Sequence, residues 1–261
     1  MELQQHLDAF TAEGIAVFAV SPDPPELLAR FAARYGITYP LLADAASDVI
    51  RRYGILNTLI DPDEPRYGIP FPGAYLTDAQ GTVVRREFHR EYRVRDAAAF
   101  WVAGGDLSEA LAGHPHASAG AVRAVLAAPD LKPCQRVPLL VQIALPPELH
   151  AYGQPVPEGF IATQVEVRGP EGLRVEPPRF PPTHPLRIEP LDVTLPIFEG
   201  PITIEVPLVY AVYDAAPGTA VPLEVTVRFQ ACSDRECLLP VTERLTLAAV
   251  VGALAPRPPA A

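Results

Sequence analysis

Leu223-Glu224-Val225-Thr226-Val227-Arg228-Phe229-Gln230-Ala231-Cys232-Ser233-Asp234-Arg235-Glu236-Cys237-Leu238-Leu239-Pro240 alternates apolar and polar residues as far as Phe229, then places two cysteines on either side of four polar residues. Period-two alternation is the pattern of a half-buried strand, so this stretch predicts β-structure on the amino-terminal side of the cysteine pair. Ile202, Ile204, Val206 and Leu208 alternate with Thr203, Glu205 and Pro207 in the same way. Leu139 to Leu145, Ile161 to Val167 and Val241 to Leu247 supply further strands. Several such strands joined by Pro- and Gly-rich turns predict an all-β sandwich, with the prolines at edges and connections.

Working outward, the character of the chain changes. Nine of the 32 prolines lie before residue 129, and helix-period patterns are confined to that first part. Leu3, Leu7 and Phe10 fall at helical spacing, and Ile15 to Val20 is an unbroken apolar run of the kind found in buried parallel strands. Asp23 as N-cap, Pro24 at the first helical position and Glu26 at the third predict a helix through Leu27, Leu28, Phe31 and Tyr35, closed by Gly36. Tyr39 to Ala43 reads as a strand, Ser47 to Tyr53 as a second capped helix, and Gly73 to Thr77 with Thr82 to Phe88 as a hairpin. The segment 113–135 reads as an interdomain connection holding a short helix around Ala119 to Leu126, and 251–261 as a disordered Pro-Ala tail.

Composition limits the function classes. Hydrophobic residues make up 49% of the 261 and charged residues 20%, enough for a sizeable core. A formal charge of −10 argues against nucleic acid and anionic membrane surfaces as partners, both of which favour Lys/Arg-rich faces. The most apolar run, Leu245 to Ala255, is shorter than a membrane span, so no membrane insertion is expected. The start, Met1 to His6, lacks the features of a secretory signal, so the default expectation is cytoplasmic, or extracytoplasmic if the true start lies upstream.

Three cysteines are too few for a disulfide scaffold. Cys232 and Cys237 can flank one tight turn, and period-two parity puts Cys232 with Arg228 and Gln230 on the polar, reachable face. A structural staple would restrain the unfolded chain by only about 2 kcal/mol for so short a loop. Half a zinc site would need a second pair, so redox pair, staple and unrelated thiols stand as the alternatives, the first favoured. Cys134, after Lys132-Pro133, reads as a semi-exposed bystander. His114 and His116 read as solvated linker residues, and Arg85, Arg86, Arg90, Arg93 and Arg95 beside Glu87 and Glu91 as a salt-bridged surface. No metal or cofactor is expected.

Two resemblances follow from these residues. Residues 1 to about 110 resemble the redoxins of the alkyl hydroperoxide reductase and thiol-specific antioxidant family through Glu2-Leu3-Gln4-Gln5, Ala19-Val20-Ser21-Pro22-Asp23, Phe31 to Leu42, Tyr53 to Asn57 and Gly68 to Gly73. That resemblance implies a thioredoxin-like α/β fold with Pro72 at the family's active-site cis-proline position. Residues 136 to 248 resemble the amino-terminal domain of the thiol:disulfide interchange protein DsbD through Leu149-His150-Ala151-Tyr152, Pro196 to Pro201, and Phe229 to Cys232 with Cys237 to Pro240. It implies an immunoglobulin-like sandwich whose cysteine pair accepts and passes on electrons.

The redoxin pattern is incomplete. Its catalytic cysteine would stand at the start of the helix that here begins at Met1, yet no cysteine precedes Cys134, and Pro72 stands where peroxidatic members carry arginine. The fold expectation is therefore a thioredoxin-like domain over 1–112 lacking its first strand and active-site motif, a linker over 113–135, a sandwich over 136–250 and a tail over 251–261. The shortened sheet should leave the Ile15 to Val20 region incompletely covered and open to self-association. The functional expectation is a thiol-disulfide oxidoreductase relaying electrons through Cys232 and Cys237, with a thioredoxin-like or DsbD-like redox protein as partner and no peroxidase activity from this chain alone. The rivals are a non-catalytic binding or scaffold protein and the remnant of a peroxiredoxin-like peroxidase.

Overall fold

The computed structural model describes residues 2–89, 91, 93–102, 114–189, 192–233 and 235–254. The chain divides into two units, one within residues 1–105 and the other within 106–254.

In the first unit, Glu2–Gln5 (α1) and Leu7–Ala12 (α2) form the helical start and bury Phe10. The apolar run that follows pairs only over Ala19–Ser21 (β1), and Pro25–Tyr35 (α3) leads on to Leu41–Ala43 (β2), which lies parallel to β1 with Ala19 opposite Leu41. The run is incompletely covered, as expected for this region: Phe18 is 58% and Val20 46% exposed. Among the described residues β1 has a strand neighbour on one side only, and alternate side chains point to opposite faces, so one apolar face stays wet.

The start of α3 lies one residue later than expected. Pro24 is the N-cap with extended backbone and Pro25 opens the helix. A residue before proline is pushed out of the helical region, so Pro24 cannot take the first helical position. Asp23 instead accepts a hydrogen bond from the Ser21 hydroxyl. Gly36, at φ 62°, ends the helix as expected, its N–H donating to the Ala32 carbonyl.

Asp48–Arg52 (α4) is also capped differently. Ser47 sits at φ 56° and its hydroxyl donates to the Gly68 carbonyl, so it is not the capping group. The Asp44 carboxylate accepts the N–H groups of Asp48, Val49 and Ile50 at 2.9, 3.2 and 2.9 Å. Burial pushes the Asp44 carboxyl up, but these backbone bonds and the Arg51 charge outweigh it and hold its pKa below the ordinary value.

Gly73–Thr77 (β3) and Val83–Phe88 (β4) form the predicted antiparallel hairpin, followed by Arg95–Asp96 (β5) and Ala99–Val102 (α5). Arg85 is more than a surface charge. It pairs with Glu87 at 3.2 Å, donates to the Phe100 carbonyl at 2.6 Å and lies over the Phe100 and Trp101 rings. Arg90 lies outside the described residues.

Two separate two-stranded sheets are a thin frame, because sheets of that size are marginal alone. Each large aliphatic or aromatic side chain left in water forgoes roughly 1.5 to 3 kcal/mol of burial. Hydrogen exchange followed by mass spectrometry should therefore show β1 and β3 opening at least about 2 kcal/mol more easily than the central strands of the second unit. Equal protection in the two units would contradict this.

Among the described residues, the regular elements of the second unit are strands. His116–Ala119 (β6), Val122–Leu126 (β7) and Gln135–Ile143 (β8) come first, then His150–Tyr152 (β9), Gln164–Arg168 (β10), Leu173–Val175 (β11) and His184–Ile188 (β12). Val193–Glu199 (β13), Ile202–Tyr210 (β14), Ala220–Phe229 (β15), Ala231–Cys232 (β16) and Val241–Val250 (β17) complete it. One sheet runs β11-β14-β8-β7-β6, a second β10-β15-β17, and a third β12-β13-β9-β16. The predicted inward residues form the core, among them Leu223, Val225 and Val227 of β15, Leu247 of β17, and Ile204, Val206 and Leu208 of β14.

Three expectations are corrected here. The segment 113–135 is not a helical linker: its β7 pairs with β8, Val122 opposite Ile143, and β6 extends the same sheet. Val122, Val125 and Leu126 gain burial in a sheet that a two-turn helix could not offer. Cys134, expected semi-exposed, is buried where the chain enters β8, at φ 59° with its N–H bonded to the Tyr210 carbonyl. The segment 251–261 is not free at its start, since Val251 is buried and bonds to Thr219 and Gly252 to Leu131; residues 255–261 lie outside the described residues.

The prolines are not confined to edges either. Pro138 of β8 faces Pro207 of β14 in the middle of a sheet. Their carbonyls turn outward, to the N–H groups of Ala127 and Glu176, so the missing proline donors also point outward, just past the ends of β7 and β11. No donor toward β8 or β14 is lost at that pair. Among the described residues, no helix is long and apolar enough to cross a membrane.

Candidate functional site

The cysteine pair sits where the chain changes sheets. β15 ends at Phe229 in one sheet, and after Gln230 the two residues of β16 pair with β9 in another, Ala231 opposite Ala151 and Cys232 opposite His150. The crossing is pinned by backbone: the Leu238 N–H donates to the Ala231 carbonyl and the Gln230 side chain donates to the Leu238 carbonyl, each at 2.9 Å. Between the cysteines, the Ser233 N–H donates to the Glu236 carbonyl at 2.8 Å, and the Ser233 hydroxyl accepts the N–H groups of Arg235 and Glu236. This closed turn brings Cys232 and Cys237 into a disulfide with Cα atoms 4.0 Å apart.

The two sulfurs differ in access. Cys232, expected on the reachable face, is fully buried with Tyr152, Leu195 and Ile197, and Phe160 packs against that cluster. Parity counted along β15 does not carry across Gln230, because β16 belongs to a different sheet with its own inward face. Cys237 is exposed, and so are Leu238 and Leu239, at 47% and 87%. The site therefore has one cysteine in the core and one exposed beside two uncovered leucines. Asp234 lies outside the described residues.

Tyr152 joins the two environments. Its ring is held edge-on by Phe160 at 5.3 Å and His150 at 5.5 Å, and its hydroxyl lies 3.6 Å from Cys237 Sγ. A disulfide sulfur has no proton, so the Tyr152 O–H is the donor. Burial pushes the Tyr152 phenol above its ordinary pKa, which keeps that proton in place at neutral pH. A hydroxyl so placed is a donor of the kind that favours a thiolate over a thiol. Tyr152→Phe should slow attack of reduced Cys237 on a small aromatic disulfide about fivefold, a loss of about 1 kcal/mol. An unchanged second-order rate would remove Tyr152 from the site. Tyr152 was visible in the sequence as part of Leu149-His150-Ala151-Tyr152, but nothing local tied it to a cysteine 85 positions away.

Other sequence candidates stand apart. The peptide bond before Pro72 is trans, and Gln154–Pro155 is the cis bond among the described residues. The trans form is the intrinsic preference of an X–Pro bond, and no cysteine lies in the first unit to form the redoxin arrangement around Pro72. His114 Nδ1 pairs with the Leu126 carbonyl and His116 Nδ1 with the His114 carbonyl, so both rings engage backbone.

The chain thus joins an α/β unit to an all-β unit that holds one disulfide between a buried cysteine and an exposed one. More particularly, residues 1–86 match the AhpC/TSA family and residues 122–249 match the family described as thiol:disulfide interchange protein DsbD, N-terminal. A Mycobacterium tuberculosis protein carrying a peroxiredoxin name is 29% identical over 92 residues, covering 34% of this chain and 55% of that protein. Alkyl hydroperoxide reductase E of Mycobacterium bovis is 30% identical over 97 residues, covering 36% of this chain and 59% of its own length. The chain thus spans somewhat over half the length of these curated relatives. The N-terminal periplasmic domain of ScsB from Proteus mirabilis is a loose structural likeness, with TM-score 0.36 and 16% identity over 49% of this chain and 47% of that one.

Proposed function

We propose that this chain relays electrons by thiol–disulfide exchange through Cys232 and Cys237, with Cys237 as the sulfur that meets the partner. The observation that carries this reading is the division of one disulfide between a buried cysteine and an exposed one. A nucleophile must reach a sulfur along the S–S axis, so access selects Cys237.

In the reduced chain the Cys237 thiolate, held by the Tyr152 hydroxyl, attacks one sulfur of a partner's disulfide. A bond forms between Cys237 Sγ and that sulfur, and the partner's other sulfur leaves as a thiolate. Cys232 then gives up its proton and attacks Cys237 Sγ, re-forming the internal disulfide and releasing the partner's first sulfur. Two electrons and two protons have passed to the partner. The reverse sequence loads the chain from a donor dithiol. The partner we infer is a thioredoxin-like or DsbD-like redox protein, for which Leu238 and Leu239 offer an apolar landing beside the reactive sulfur.

The test is transfer of thiols. Reduced protein, freed of reductant and mixed with oxidised thioredoxin, should hand over one pair of thiols per chain, and Cys232→Ser/Cys237→Ser should hand over none. Retention of both thiols against an excess of oxidised thioredoxin would overturn the proposal.

A further inference from the structure

We propose that His150 takes the proton that Cys232 gives up and that Glu199 holds the charge the imidazole then carries, a role that rests on the relay through Cys232 and Cys237.

The third sheet sets these residues in one row. Glu199 of β13 lies opposite His150 of β9, His150 lies opposite Cys232 of β16, and Cys232 lies opposite Cys237 in an isolated bridge. Residues directly opposite in antiparallel pairs put their side chains on the same face, with Cβ atoms about 5 Å apart. The packing identifies that face. Tyr152 and Ile197, two positions from His150 and from Glu199, are buried in one cluster with Cys232 and Leu195. The His150 and Tyr152 rings meet edge-on at 5.5 Å, and the Tyr152 hydroxyl reaches Cys237 Sγ. Exposure rises along the row, from Cys232 at 0% through His150 at 7% to Glu199, which is exposed.

The resolving step needs a base inside the protein. The thiolate is the attacking form, and a thiol shut among apolar groups keeps its proton at neutral pH. Cys232 is such a thiol once the disulfide opens, out of reach of bulk water. The other ionisable groups on this face are poorly placed to serve it. Tyr152 keeps its own proton because burial pushes its phenol up, Glu199 stands one strand further away, and His184 lies opposite Ile197 on β12. Val156, Phe160, Leu186, Ile188 and Val193, which pack against the cluster, are apolar. His150 is the base in direct register with Cys232, and an imidazole exchanges protons near neutral pH.

In the step itself, the Cys232 S–H proton passes to an imidazole nitrogen of His150 while the sulfur's electron pair forms the bond to Cys237 Sγ. The bond from Cys237 to the partner's sulfur breaks, and its pair leaves on that sulfur as a thiolate. The imidazolium beside Glu199 then yields the proton to water. When a donor thiolate attacks Cys237 instead, the proton returns to Cys232 by the same route.

The test is stopped-flow release of thionitrobenzoate from its symmetric aromatic disulfide by the reduced full chain. Capture by Cys237 releases one thionitrobenzoate at a rate that scales with reagent, and resolution by Cys232 releases a second at a rate that does not. His150→Gln should slow the second phase about a hundredfold at neutral pH and the first far less, the scale of a positioned acid–base group. The second phase of the wild type should level off with a midpoint between about pH 5.5 and 7.5, where histidines titrate. In His150→Gln it should keep rising to about pH 8.5 or above, as for an unassisted thiol. Glu199→Gln, a change at the exposed end of the row, should lower the wild-type midpoint by about half a unit. An unchanged pH profile of the second phase in His150→Gln, whatever its rate, or an unmoved midpoint in Glu199→Gln, would overturn this role and leave the relay standing. Release of only one thionitrobenzoate by the wild type would overturn the relay and the role with it.

Discussion

Cys232→Ser should leave the chain able to capture a thioredoxin-fold disulfide and unable to release it. The exposed Cys237 still attacks, but no second sulfur lies behind it, so the mixed disulfide accumulates. Cys237→Ser should have the opposite result, with capture slowed at least about a hundredfold, because the remaining sulfur is fully buried among Tyr152, Leu195 and Ile197. Either change opens a short loop and should cost only about 2 kcal/mol, so both variants should stay folded and comparable. Non-reducing electrophoresis after mixing with oxidised thioredoxin reads the difference. Equal trapping by the two variants would mean that the buried and exposed sulfurs are interchangeable, and the asymmetry argument would fail.

Peroxide should be consumed by the reduced chain no faster than by a free thiol. Enzymes exceed their uncatalysed references by about a millionfold or more, so the expected difference from a working thiol peroxidase is large. The reason is positional. The cysteines are Cys134, Cys232 and Cys237, which leaves the AhpC/TSA-type segment without a nucleophile, and Cys134 is buried. Fast peroxide reduction that survives Cys232→Ser/Cys237→Ser would contradict this and point to Cys134.

Much of the second unit was legible because its strands are long and half-buried: Leu223, Val225 and Val227 announce their face by alternation, and the structure buries all three. The closed turn between Cys232 and Cys237 was legible too, since four residues between two sulfurs leave little choice of geometry. What alternation could not reveal was the change of sheet at Gln230, which resets the inward face and buries Cys232. Ala119 to Leu126 misled for a related reason. A short apolar run fits a helix or a buried strand equally well, and only the long-range pairing of β7 with β8 decides between them. Tyr152 comes to the disulfide through a neighbour distant in sequence, which no local pattern records. In the first unit, Asp44 took the capping place expected for Ser47 because its carboxylate reaches three N–H groups at once.

The central claim is that Cys232 and Cys237 form a working redox pair and not a staple. Equilibration of the full chain in glutathione buffers of graded potential, followed by alkylation and mass spectrometry of the peptide containing both cysteines, tests it most directly. The account predicts that both thiols appear together in one reversible two-electron transition, with its midpoint between about −300 and −120 mV, the range of proteins that exchange disulfides. A pair that stays oxidised well below about −300 mV, or sulfurs that titrate independently of one another, would contradict it.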